Sequence, residues 1–126
     1  MAGTWSPDEL ATIDAAVELE IAVRRPDGGL GRWTPIWVVQ AAGQVYVRTW
    51  HRRDTGWYGG ALSSRRASVR APGLAAEVVV EDVGSAPTDL VTGVDAAYRD
   101  KYGVRGAGSM VTASAAATTL RLTPEH

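Results

Sequence analysis

The chain has 126 residues, a net charge of -1, and 45% apolar and 21% charged residues, which predicts one soluble domain over 1–126. It has no cysteine and only two histidines, His51 and terminal His126, which excludes disulfides, thiolate chemistry and a structural zinc site. No apolar run approaches the roughly 18 residues of a membrane span, and the opening MAGTWSPDEL lacks a secretory signal pattern, so no membrane partner and a cytoplasmic location are expected.

Ser6-Pro7-Asp8-Glu9 is a helix start, with Ser6 as cap, Pro7 at the first helical position and Glu9 placed for a capping box. Trp5 and Leu10 stand at the positions of a hydrophobic staple. Leu10, Ile13 and Val17 then recur at helical spacing and predict a helix over 7–17. Alternation from Leu19 to Val23 predicts a strand over 18–25, closed by turn chemistry at Pro26-Asp27-Gly28-Gly29. Residues 33–40 read as one strand, and its continuously apolar centre, Ile36-Trp37-Val38-Val39, implies burial on both faces. After a tight turn at Ala42-Gly43, a third strand over 44–49 completes an antiparallel meander, with Val45 and Val47 on one side and Tyr46 and Arg48 on the other.

Residues 57–64 predict a short helix with Leu62 inward. Strands over 67–71 and 75–82 are joined at Pro72-Gly73. A second main helix over 88–102 carries Leu90, Val94, Ala97 and Tyr98 on one face, an Asp95–Arg99 pair at i,i+4, and Gly103 as its C-cap. The Gly, Ala and Ser-rich stretch 103–117 reads as a mobile loop or a short helix near 113–117. Its Gly103–Gly108 part follows a helix rather than a strand, so it fails as a phosphate loop and reads as a flap over a site. A last strand over 118–123 points Leu120 and Leu122 inward. The fold class expected is mainly β (α+β): a small antiparallel split β-barrel of about six strands with two helices, because closure removes exposed edges.

Chemistry concentrates in residues 45–70. Positions 48–70 hold six arginines against one acid, Asp54, a local charge of +5 beside Trp50, His51, Trp57 and Tyr58. One reading is a mouth for an anionic, flat small molecule. The other is a surface that pairs with the acidic blocks at 1–20 and 77–100, each of charge -5, unless those blocks simply face solvent. Nucleic acid is not expected of a nearly neutral chain. His51 among cations stays neutral and is available as a base, and Tyr58 as a proton or hydrogen-bond donor; each is equally readable as a residue without chemistry. Trp37, Tyr46, Trp57 and Tyr58 are the candidate substrate-contacting aromatics, with Trp37 also readable as core. No serine-centred triad is visible.

The stretches Arg24-Arg25-Pro26-Asp27-Gly28, Thr34-Pro35-Ile36-Trp37-Val38-Val39 and Val45-Tyr46-Val47-Arg48-Thr49 resemble the first hairpins of the FMN-binding split-barrel superfamily. Gly56-Trp57-Tyr58-Gly59-Gly60-Ala61-Leu62 is similar to a helix of its deazaflavin-dependent nitroreductase branch. Over nearly its full length the chain resembles a bacterial family, domain of unknown function 2255. The matching runs are Trp5-Ser6-Pro7-Asp8-Glu9-Leu10, Asp95-Ala96-Ala97-Tyr98-Arg99-Asp100-Lys101-Tyr102-Gly103 and Ala117-Thr118-Thr119-Leu120-Arg121-Leu122.

The superfamily resemblance implies a homodimer and an FMN or deazaflavin cofactor serving an oxidoreductase of a small organic substrate. Carried over residue by residue, it implies phosphate contacts at Arg48, Thr49, and one or both of Arg52 and Arg53, with Trp50 or Trp57 stacked on the ring or covering its edge. Asp54-Thr55-Gly56 stands where flavin-binding members carry a serine and a lysine. A cofactor-free alternative therefore stays open: a biosynthetic cyclase or isomerase, or a metabolite-binding protein, on the same fold.

Overall fold

The computed structural model describes residues 3–49, 56–85, 88–108 and 110–125. Its first helix, α1 (Pro7–Ala15), starts as the sequence predicts: the Glu9 amide donates to the Ser6 hydroxyl at 3.1 Å, and the Ser6 amide to the Glu9 carboxylate at 2.8 Å. Trp5 is buried and donates its indole N–H to the Leu122 carbonyl at 2.9 Å, tying the helix entry to the far end of the chain. The helix stops two residues short of Val17, which is 70% exposed and belongs to no apolar face.

Among the described residues seven strands follow in one antiparallel sheet: β1 (Leu19–Val23), β2 (Thr34–Ile36), β3 (Val38–Ala41), β4 (Gln44–Val47), β5 (Arg66–Ala71), β6 (Leu74–Asp82) and β7 (Leu120–Pro124). Their order is β2-β1-β5-β6-β7-β4-β3, so the two edge strands are consecutive in the chain and separated only by Trp37. A sheet whose edges are one residue apart must curl on itself. The result is a nearly closed split barrel with its seam at Trp37.

The single strand expected over 33–40 is thus two strands that pair on opposite sides, β2 with β1 and β3 with β4. Pro35 lacks an amide hydrogen to donate to a ladder. At the seam the Val38 amide donates instead to the Tyr102 hydroxyl at 3.1 Å, and Lys101 Nζ donates to the carbonyls of Val38 (2.7 Å) and Ile13 (2.8 Å).

Alternation along the strands sorts the core into two layers. Val38, Val45, Val47, Leu120 and Leu122 fill the barrel interior with Leu19, Ile21, Val69, Val78 and Val80. Val39 and Tyr46, one residue out of phase, pack on the other face against Val94 and Tyr98 of α3 (Thr88–Gly106). The apolar centre at 36–39 is buried on both faces for this reason. Helix α2 (Gly56–Ser64) lies on the barrel, with Tyr58 and Ala61 in the interior core and Leu62 packed against it.

Gly103, at φ 80° and ψ 157°, ends the regular part of α3 where the sequence predicts, and only a further turn follows it. The flap expected beyond it is packed: Ala107 and Met110 are buried in the second layer, and α4 (Ala113–Ala116) starts at a Thr112 cap. Asp95 does not pair with Arg99 but reaches across to Arg48 at 2.5 Å. Among the described residues no helix is long and apolar enough to cross a membrane.

Candidate ligand groove

The turn after β1 is built by backbone hydrogen bonds from Arg25 N to Gly29 O (2.7 Å) and from Gly28 N to Arg25 O (2.9 Å). Helix α2 packs beside β1 at Gly60, where a Cβ would make ordinary contact with the Val23 side chain at 3.4 Å. Between the turn and the helix lies a groove of ≈ 850 Å³. Among the described residues its apolar wall is Val23, Pro26 and Trp57, its hydroxyls are Thr34, Ser63 and Ser64, and its charges are Arg24, Arg25, Arg32 and Arg66, with no carboxylate.

The four arginines differ electrostatically. Arg24 donates to the Gly28 carbonyl at 2.8 Å and pairs with Glu77 at 2.6 Å. Arg66 pairs with Glu125 at 2.9 Å. Arg25 and Arg32 are exposed and have no carboxylate partner among the described residues. Burial opposes ionisation of Glu77, but hydrogen bonds from Ser68 and Arg24 outweigh it and hold its carboxyl below the usual value. Trp57 is half-buried and set edge-on to Tyr58, at 5.7 Å between ring centroids and 89° between planes. Among the described residues the groove therefore joins an indole packed on Tyr58 to two guanidinium groups without a carboxylate partner, a combination suited to a ring carrying an anion.

Of the described residues that the sequence proposes for the site, only Trp57 lines this groove. Trp50, His51, Arg52 and Arg53 lie outside the described residues. Arg48 is not at a ligand surface. Its side chain is fully buried, with Nε on the Thr119 hydroxyl (2.8 Å), Nη1 on Asp95 (2.5 Å) and the Met110 carbonyl (2.7 Å), and Nη2 facing the Val91 carbonyl at 3.4 Å. Thr49 is bound to the chain as well, its amide donating to the Thr118 hydroxyl at 3.0 Å.

Tyr58 is 4% exposed and packs in the barrel interior rather than facing a substrate, and Tyr46, also 4% exposed, belongs to the layer under α3. Trp37 stacks on Tyr102 at 4.0 Å and 6°, at the seam and away from the groove lining. The other arginines of the basic stretch disperse: Arg65 donates to the Leu62 carbonyl at 3.0 Å, and Arg70 pairs with Glu20 at 3.0 Å while lying 3.9 Å from the Trp33 ring centre. The groove's own cations, Arg24, Arg25 and Arg32, flank a turn and carry a modest sequence signal, three arginines against Asp27 within nine residues.

The description "Uncharacterized protein conserved in bacteria (DUF2255)" matches residues 9–122. No curated protein matches the chain. Among solved structures, the conserved hypothetical protein Rv2991 from Mycobacterium tuberculosis is similar at a TM-score of 0.61 and 14% identity, over 97% of this chain and 80% of that one. A NimC/NimA family protein from Clostridium acetobutylicum is similar at 0.52 and 13% identity, over 92% and 78%. A protein titled F420 reductase is similar at 0.46 and 14% identity, over 91% and 90%.

Proposed function

From the premise that the chain belongs to the DUF2255 family of bacterial proteins, we propose that it binds a flat, anionic small molecule in the groove between the β1–β2 turn and α2. On the split-barrel resemblance, that molecule is FMN or a deazaflavin, and the protein is a reductase of a small organic substrate, working as a homodimer. The observation that carries this reading is a pair of guanidinium groups, Arg25 and Arg32, that have no carboxylate partner among the described residues and share one lining with Trp57. The residues present fit such a group: guanidinium forks suit a phosphate and the indole suits a ring edge or face. When bound, the cofactor supplies hydride chemistry. The chain's own residues bind its charge, orient its ring and cover one side of it. Recording the visible spectrum of the purified protein and titrating FMN and a deazaflavin tests this. Saturable binding is expected, and its absence up to roughly tens of micromolar removes the cofactor reading.

A second reading keeps the groove and drops the cofactor. It is favoured by Arg48, which the resemblance assigns to a phosphate and which here spends its guanidinium on Asp95, Thr119 and Met110. The ligand is then an anionic aromatic metabolite. A thermal-shift screen that finds such metabolites while both chromophores fail selects it.

A further inference from the structure

We infer that the groove is polarised end to end: Arg25 and Arg32 on the β1–β2 side take a dianionic group, and Trp57 on α2 takes the aromatic ring, so the ligand class is an aryl or heteroaryl phosphate. The inference deepens the proposed ligand groove and rests on it. It does not rest on the ligand being a flavin.

The assignment follows from which charges are already spent. Arg24 is neutralised by Glu77 at 2.6 Å and also donates to Gly28, and Arg66 is neutralised by Glu125 at 2.9 Å. A ligand anion gains little from either without breaking an existing pair. Arg25 and Arg32 face no such competition among the described residues, and both line the groove. Two guanidinium groups offer more planar donor forks than a single carboxylate can occupy, whereas a phosphate presents three terminal oxygens and nearly two negative charges. On the α2 side, the edge-on contact with Tyr58 packs the Trp57 ring, and Gly60 beside Val23 keeps the neighbouring wall apolar. The hydroxyls of Ser63 and Ser64 belong to the same lining.

Titration with 1-naphthyl phosphate and with 1-naphthol, followed by calorimetry, tests the inference without any redox cofactor. Wild type is expected to bind the phosphate roughly ten-fold or more tighter than the alcohol. In Arg25→Gln/Arg32→Gln the preference should fall to within about two-fold while naphthol binding is unchanged. Arg70→Gln, which removes a cation outside the groove, should keep the preference. Trp57→Leu should weaken both ligands alike. Failure of wild type to bind the ester, equal binding of ester and alcohol, or a preference that survives the double substitution overturns the inference. A positive result stands even if FMN and deazaflavin both fail. FMN binding whose advantage over riboflavin ignores Arg25 and Arg32 overturns the inference, while flavin binding itself stands with its phosphate held elsewhere.

Discussion

Arg48 and the pair Arg25 and Arg32 are the same side chain put to opposite uses. The layer between the sheet and α3 encloses Arg48 completely and meets its donors with a carboxylate, a hydroxyl and a backbone carbonyl. The groove rim leaves Arg25 and Arg32 exposed, without a carboxylate partner among the described residues. Burying a guanidinium is costly unless its donors are met, so an enclosed arginine is committed to structure. An exposed one costs little to keep unpaired and remains available for a ligand. A basic stretch in sequence therefore says little about a site until the carboxylates that answer it are located.

The sharpest way to break the contrast is Arg48→Met. It strands Asp95, whose side chain is only 19% exposed, and unpairs the Thr119 hydroxyl and Met110 carbonyl. Urea unfolding should show a loss of about 3–5 kcal/mol, with ligand affinity in the folded fraction unchanged. A loss near zero would mean that the network is not what holds α3 to the sheet.

Gly84→Ala attacks the same region from outside. A Cβ at Gly84 would overlap the carbonyl of Ala117, just before the Thr118–Thr119 pair that reaches Thr49 and Arg48. The contact is with backbone, so the turn after β6 must move, at about 1–3 kcal/mol by the same measurement. A neutral result would show that the 113–119 segment yields easily.

Much of this fold is written locally. The capping box at Ser6 and Glu9, the phase of Val45-Tyr46-Val47 and the end of α3 at Gly103 each depend on neighbours within a few residues. The break at Trp37 does not. Residues 36–39 are apolar throughout, and what divides them is a change of partner strand, set by Tyr102 and Lys101 more than 60 residues away. The ion pairs are similarly non-local: Arg48 finds Asp95 across 47 positions and Arg24 finds Glu77 across 53, so the i,i+4 partner Arg99 loses to a distant one. The acidic blocks thus supply Glu20, Glu77 and Asp95 to arginines within the fold. For the candidate site, Trp57 is legible as an aromatic in a basic context, but Arg25 and Arg32 become distinct only once the groove lining and the carboxylate partners of Arg24 and Arg66 are known.

Glu77→Gln sharpens the division between spent and available arginines. The folded-state pKa of Glu77 lies below its ordinary 4.5, so the contribution of its ionised form to stability is present above that value and is lost as pH falls through the folded pKa. Wild-type stability should therefore decline through this acid window, and the glutamine variant should decline less. The same change frees Arg24, so it should strengthen, not weaken, binding of an aryl phosphate at neutral pH. Identical acid limbs in the two proteins would remove Glu77 from the account.

The smallest expected effect on stability is that of Arg25→Gln/Arg32→Gln. Neither side chain has a carboxylate partner to strand among the described residues, so the unfolding free energy should stay within about 0.5 kcal/mol of wild type. The sign is informative. Arg25 and Arg32 share the groove and meet no carboxylate among the described residues, so removing both relieves repulsion that is strongest at low salt. The variant should therefore equal or slightly exceed wild type in dilute buffer, with the difference vanishing near 1 M salt. A destabilisation comparable to that of Arg48→Met would mean that these two arginines are structural after all, and the distinction between an enclosed cation and an available one would fail at the groove itself.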